Sequence, residues 1–251
     1  MKAKTKPQLI VALDVGSHDE ALTLMTDLRG TVEWLKVGME LFVAEGHEVI
    51  KSAKALGFKV FLDLKFKDIP NTVSRAIKAA GKLGVDMVNI HLDGGSEMIA
   101  AAAKAASEFP GMTLLGVTVL TSSTPKTLIE VNVRKVAGHP MVPIEQVMDL
   151  VRLGCSNGIR GMVCSPQEVN SLRNFGDYAD TLILVTPAIR PPWAATPDDQ
   201  KRATTVQEAV EAGSNFLVVG RPVYAPPTNI KTPFNAACRI LAEIDEAWSQ
   251  N

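Results

Sequence analysis

Short runs of apolar and β-branched residues recur along the chain, each followed by a stretch of helical length and composition. Eight runs stand out: Leu9 to Val15, Trp34 to Met39, Lys59 to Lys65, Met87 to Leu92, Thr113 to Leu120, Gly161 to Ser165, Thr181 to Pro187 and Phe216 to Pro222. Ala- and Leu-rich segments with helical patterning lie between them, among them Glu20 to Leu28, Thr72 to Leu83 and Ser96 to Ser107. Gly57, Gly84 and Gly213 are placed as helix stops. This alternation is that of βα units around a parallel sheet, and eight of them predict an α/β fold of the (β/α)8, or TIM, barrel type. An open doubly wound sheet also alternates, but it usually carries a GxGxxG turn after its first strand. Asp14-Val15-Gly16-Ser17-His18 is not such a turn.

The bulk numbers narrow the picture without changing it. A chain of 251 residues that is 46% hydrophobic can bury one large core, so a single domain over residues 1–251 is expected. The 26 basic and 27 acidic residues nearly cancel, which gives no general electrostatic reason to expect nucleic acid or an anionic membrane as partner. Any anion must therefore be held by local chemistry. Cys155, Cys164 and Cys238 are odd in number and lack CxxC spacing, which argues against a disulfide framework or zinc cluster and fits a reducing cytoplasm. Lys2, Lys4 and Lys6 precede an apolar stretch, Leu9 to Leu13, that is broken at Asp14 and too short for a signal peptide or membrane span. His18, His47, His91 and His139 are scattered without HxH or HExxH spacing, so no histidine metal site is expected. The one long connection poor in regular signal runs from Ala188 to about Gln200, with Pro191, Pro192 and Pro197, and reads as a lid or binding loop.

The charges are more informative than their sum. In such a barrel the reactive residues gather at the C-terminal ends of the strands. Strand one ends in Asp14, strand two carries Lys36, strand three ends in Asp63-Leu64-Lys65, strand five leads to Thr121, and strand eight closes on Gly220-Arg221. Side chains alternate along a strand, so Asp63 and Lys65 share one side and Leu62 and Leu64 the other. With the leucines against the helices, the charged pair is directed at the barrel mouth. A lone charge at a strand end, such as Asp14 or Lys36, is as readily a solvated edge. A set of opposite charges is a stronger signal, because desolvated charges need partners, and Lys36, Asp63, Lys65 and Asp68 sum to zero. Such a set can keep a lysine protonated beside a reacting carbon with no metal. Asp68-Ile69-Pro70-Asn71-Thr72 reads as a helix start, with proline in the first turn and Asp or Asn nearby as a cap. His91 is expected to be a hydrogen-bonded core histidine. Arg221 sits where barrels commonly bind phosphate, near strands seven and eight.

The run Asp63-Leu64-Lys65-Phe66-Lys67-Asp68-Ile69-Pro70-Asn71-Thr72 resembles the DxKxxDIPNT signature of the orotidine 5′-phosphate decarboxylase family. Supporting matches extend over nearly the whole chain: Ala12-Leu13-Asp14, Leu35-Lys36-Val37-Gly38, Val117-Thr118-Val119-Leu120-Thr121, Thr186-Pro187-Ala188-Ile189-Arg190-Pro191, Asp199-Gln200 and Val219-Gly220-Arg221-Pro222. The resemblance implies decarboxylation of orotidine 5′-monophosphate to UMP and CO2, the last step of UMP biosynthesis, without metal or cofactor. By that resemblance Lys65 is the general acid that protonates C6, and Asp63 is set against the substrate carboxylate. Lys36 and Asp14 bind ribose and complete the charge network. Thr121 and Pro187 lie at the pyrimidine, and Arg190, Gln200, Gly220 and Arg221 surround the phosphate. Family members are homodimers in which Asp68 and Thr72 complete the partner's site, so Asp68 can be both helix start and catalytic residue; Ile69 is implied among the substrate-binding residues. One departure is Ala188, where the family's strand-seven motif usually has glycine.

Other readings differ in the chemistry they demand. A 3-keto-L-gulonate 6-phosphate decarboxylase or hexulose-phosphate synthase would share the DxK pair but use magnesium, and would lack the full DIPNT run. A Schiff-base aldolase needs a neutral lysine, whereas carboxylates around Lys65 favour its charged form. A non-catalytic, ligand-binding barrel would have no need to retain all four charges.

Overall fold

The computed structural model describes residues 5–131, 143–194 and 204–250. All eight expected strands form: Gln8–Ala12 (β1), Trp34–Gly38 (β2), Lys59–Phe66 (β3), Met87–His91 (β4), Thr113–Val117 (β5), Gly161–Val163 (β6), Ile183–Thr186 (β7) and Phe216–Val219 (β8). Neighbours pair in parallel and in sequence order, and β1 pairs with β8 from Gln8 against Phe216 to Val11 against Val219, which closes the barrel. Several strands end earlier than their apolar runs. Leu13 and Val119 lie beyond the ends of β1 and β5 yet stay buried, so burial continues after the hydrogen-bonded ladder stops.

The helices follow from local signals. The one expected over Glu20 to Leu28 begins at His18, because Ser17 caps it by accepting from the Glu20 N–H. Thr205 and Glu208 form a capping box for Val206–Ala212, which ends at Gly213 in the left-handed region, φ 101°. Eight helices are expected, but among the described residues eleven α-helices occur. The connections after β2, β5 and β8 each hold two, and Gly46 at φ 64° separates the first such pair, Met39–Glu45 and Glu48–Ala55. No helix among the described residues is long and apolar enough to cross a membrane.

Two apolar layers flank the strands. Leu9, Val11, Leu35, Val37, Val60 and Leu62 pack outward against the helices. Ile10, Ala12, Trp34, Phe61, Met87, Leu115, Val185 and Val218 fill the barrel interior. At the barrel's lower end Trp34 meets Phe216 edge-on at 5.4 Å between ring centroids. The alternation of two then dictates what lies above this plug. Two residues past Ala12, Trp34, Phe61 and Met87 come Asp14, Lys36, Asp63 and Asn89, so the apolar interior is overlain by a polar layer.

Candidate active site

That polar layer is a chain of alternating charges. Lys36 Nζ lies 3.0 Å from Asp14 Oδ1 and 3.3 Å from Asp63 Oδ2, while Lys65 Nζ lies 2.7 Å from Asp63 Oδ1. Lys36 and Asp63 are each only 9% exposed. Burial acts most strongly on Lys36 and alone would favour its neutral form, but Asp63 and Asp14 together outweigh it and raise its pKa. Burial likewise opposes ionisation of Asp63, yet Lys36, Lys65 and the Asn89 amide together hold its pKa below the usual carboxylate range. Within one chain the neutral foursome is therefore Asp14, Lys36, Asp63 and Lys65, and not the expected set that included Asp68.

Gly38 makes room for this arrangement. A Cβ there would stand 3.1 Å from Lys36 Nζ and 3.3 Å from Asp14 Oδ1, against the pair that joins β1 to β2.

Strand β3 reaches the mouth by an irregular path. Leu62 pairs with Val88 and Phe66 with Ile90, so four steps on β3 oppose two on β4. An excess of two residues preserves alternation, and Leu62, Leu64 and Phe66 all pack on the outer core. The sharing of one side by Asp63 and Lys65 thus holds, although Lys65 takes φ 52°, in the left-handed region. Its backbone N–H, displaced from a regular ladder, donates to Asn89 Oδ1 at 2.7 Å, and Asn89 Nδ2 donates to Asp63 Oδ1 at 2.7 Å. Sequence reasoning passed over Asn89. The signal available was its inward position on β4, level with the charged layer and flanked by apolar residues.

A cavity of about 630 Å³ opens above these charges. Asp14, Lys36, Asp63 and Lys65 line one side, Thr121 and Pro187 another, and Arg190, Gly220 and Arg221 a third. Its volume suits a small ligand. Ala188 also lines it, at φ 65°. That conformation costs a residue with a Cβ about 1 kcal/mol and is free to glycine, which is the physical content of the departure at this position.

Beyond Ala188 the connection is tied at both ends. Arg190 N–H donates to Thr204 O at 2.8 Å, and Ile189 bridges to Thr204. Trp193 Nε1 donates to Glu243 Oε1 at 2.6 Å, with the Arg239 guanidinium 4.9 Å from the ring centroid. Gln200 lies outside the described residues.

Asp68, Ile69 and Thr72 do not line their own barrel's cavity. All three are exposed, Ile69 to 67%. The helix begins at Pro70 as expected, but its N-cap residue is Ile69, without a side-chain cap bond; Asp68 Oδ1 accepts from the Ile69 N–H instead. His91 ends β4, half-buried, and burial lowers its pKa, helped by Lys67 and Lys65.

Fold and site together define a (β/α)8 barrel with an ionic network under a mouth that carries two arginines on the side of β7 and β8. The sequence profile of the orotidine 5′-phosphate decarboxylase / HUMPS family matches residues 7–232, and the chain belongs to that family. It is 44% identical over 237 residues to the orotidine 5′-phosphate decarboxylase of Opitutus terrae, covering 94% of this chain and 97% of that one. With the corresponding protein of Idiomarina loihiensis it shares 42% identity over 96% of this chain and 99% of the relative. Among solved structures it is similar to the orotidine 5′-phosphate decarboxylase of Lactobacillus acidophilus, at TM-score 0.78 and 34% identity over 97% of this chain and 99% of the other. An uncharacterised conserved protein of Geobacillus kaustophilus superposes at TM-score 0.76 with 31% identity, over 96% and 99% of the two chains.

Proposed function

We propose that this protein decarboxylates orotidine 5′-monophosphate to UMP and CO2, the closing step of UMP synthesis. The observation that carries the reading is the Asp14-Lys36-Asp63-Lys65 network at the floor of the cavity, in a chain whose relatives bear the name of that enzyme over nearly their whole length.

The chemistry follows from what the network can do. When the C6–carboxylate bond breaks, its electron pair stays on C6 and CO2 departs. A carbanion there has no adjacent carbonyl to delocalise it, so stabilisation is electrostatic. Lys65, paired with Asp63, supplies that charge and then its proton, forming the C6–H bond of UMP. Asp63 is set against the departing carboxylate, and Lys36 with Asp14 takes the ribose. Thr121 and Pro187 meet the pyrimidine. Arg190, Arg221 and the backbone at Gly220 take the phosphate, and the family resemblance adds Gln200. The phosphate is remote from C6, so its binding energy accelerates the reaction only by drawing the site closed around the substrate.

Asp68, Ile69 and Thr72 serve a second copy of the chain, in a homodimer. Their exposure, and their absence from their own cavity, support that assignment. Three free cysteines, two of them buried, fit a reducing cytoplasm.

The test is a spectrophotometric assay following loss of orotidine 5′-monophosphate absorbance, with and without a chelator. Turnover that survives the chelator is expected. No turnover would overturn the reading, and turnover abolished by the chelator would overturn its metal-free mechanism.

A further inference from the structure

Asn89 lies on β4, between Val88 and Ile90, and is fully buried. Its amide makes two bonds that belong to different levels of structure. Oδ1 accepts from the Lys65 backbone N–H at 2.7 Å, and Nδ2 donates to Asp63 Oδ1 at 2.7 Å. The same carboxylate oxygen receives Lys65 Nζ at 2.7 Å. The partners leave no ambiguity about which way the amide faces: a backbone N–H requires the oxygen and a carboxylate requires the NH2.

The first bond lies where β3 and β4 slip by two residues, and it gives a partner to the Lys65 N–H within that irregular stretch. The second restrains the carboxylate that faces both lysines. We infer that Asn89 is a positioning residue for the decarboxylation proposed above. It holds the bulge that aims Lys65 into the cavity and, through the same amide, fixes the Asp63 carboxylate against which the lysine is set. It does not itself line the cavity.

The ionisable groups around this amide are few. Asp63 and Lys65 face it from β3, Lys36 reaches Asp63 from β2 with Asp14 behind it, and His91 follows two residues along β4. On the other side β5, Thr113–Val117, carries no ionisable side chain. A carboxyl placed at this position is therefore governed mainly by Asp63 and the two lysines. Ionised, it repels Asp63 and has no donor for it. Protonated, its O–H replaces the amide N–H toward Asp63, while its carbonyl oxygen still accepts from the Lys65 N–H.

Asn89→Leu and Asn89→Asp are compared with the wild-type protein for fold by circular dichroism and for turnover of orotidine 5′-monophosphate across pH. Asn89→Leu is expected to fold and to lose about 10²-fold in kcat, the effect of misplacing a reacting group by about 1 Å, with a smaller change in KM. Asn89→Asp is expected to be as poor in alkali. Its kcat relative to wild type should then recover about tenfold between about pH 8 and about pH 5.5, as its added carboxyl takes up a proton beside Asp63. Asn89→Leu should show no such recovery. Wild-type kcat in a folded Asn89→Leu protein, or a flat ratio for Asn89→Asp, overturns the inference. So does failure of both variants to fold, which would make Asn89 a determinant of folding alone. A wild-type protein inactive on the substrate would instead overturn the proposed function.

Discussion

Lys65 sets its ammonium 2.7 Å from the Asp63 carboxylate while its own backbone stands at φ 52°, a conformation most side-chain-bearing residues avoid. Strain of this kind persists where the surroundings over-determine it, and here the bulge, the Asn89 amide and the ion pair all do so. Replacing the lysine by alanine removes the charge and the proton source but leaves the bulge's hydrogen bond. Lys65→Ala is expected to remain folded and to lose about 10³-fold or more in turnover, the combined scale of a lost general acid and a lost electrostatic stabiliser. Retention of a substantial fraction of activity would exclude Lys65 as the proton donor.

Asp63 carries a pH prediction. Its folded pKa is depressed, so its contribution to stability is present above its unfolded value and is lost as pH falls through the folded one. Chemical denaturation of wild type and Asp63→Asn should differ at neutral pH, with the variant less stable because Lys36 and Lys65 lose their shared partner. The difference should shrink as pH drops below about 4, where the unfolded carboxyl begins to protonate. A difference that stays constant into acid would show that Asp63 stabilises the fold by packing and not by charge.

Arg221 is expected to act on binding energy and not on the proton. Arg221→Ala should lower kcat/KM by about 10²-fold or more, the scale of losing a charge-assisted contact to a phosphate dianion. The proton-transfer chemistry should persist, which activity toward a substrate analogue lacking phosphate can check: that activity should be nearly equal in wild type and variant. An unchanged kcat/KM on the full substrate counts against the assignment.

Gly38 offers a test of the network's spacing. In Gly38→Ala the new methyl group would meet Lys36 Nζ at 3.1 Å and Asp14 Oδ1 at 3.3 Å, so this pair must shift by a few tenths of an ångström. Since Asp63 depends on the same lysine, turnover should fall about tenfold with little loss of stability, because the methyl group meets only the ends of two polar side chains and no apolar core. Steady-state kinetics beside thermal denaturation separates the two effects; a large fall in Tm with unchanged kcat would contradict the expectation.

Shared sites predict complementation. Lys65→Ala and Asp68→Asn should each be nearly inactive alone. In a mixed dimer one site keeps Lys65 from one subunit and Asp68 from the other. Random exchange of equal amounts should then restore about a quarter of the sites, since half the dimers are mixed and each regains one of two. If the mixture shows no more activity than the sum of its parts, Asp68 does not serve a partner.

The barrel was legible because its signals are local. Each strand announces itself by a short apolar run, and Gly57, Gly84 and Gly213 mark helix ends by left-handed turns that depend on a few neighbours. The charged mouth was legible for the same reason: alternation sends Asp63 and Lys65 to one side, and the two-residue excess on β3 leaves it intact. Splitting of the connections after β2 and β8 was not read, although Gly46, in the left-handed region, and Pro226-Pro227 stand in those two breaks.

The sequence by itself thus determined eight βα units, the inward side of each strand, and the residues available at the barrel mouth, all consequences of short-range periodicity. Only the tertiary structure decided that Lys36 lies between Asp14 and Asp63, that Asp68 stands outside its own network, and that Asn89 bridges a backbone bulge to a carboxylate. Those relationships join residues on different strands, up to 49 positions apart for Asp14 and Asp63, and depend on barrel closure and on the two-residue slip between β3 and β4. Asn89 shows the difference most sharply. In the sequence it is a lone polar residue within an apolar run, and in the fold burial obliges both ends of its amide to find partners, which the bulge at Lys65 and the Asp63 carboxylate supply.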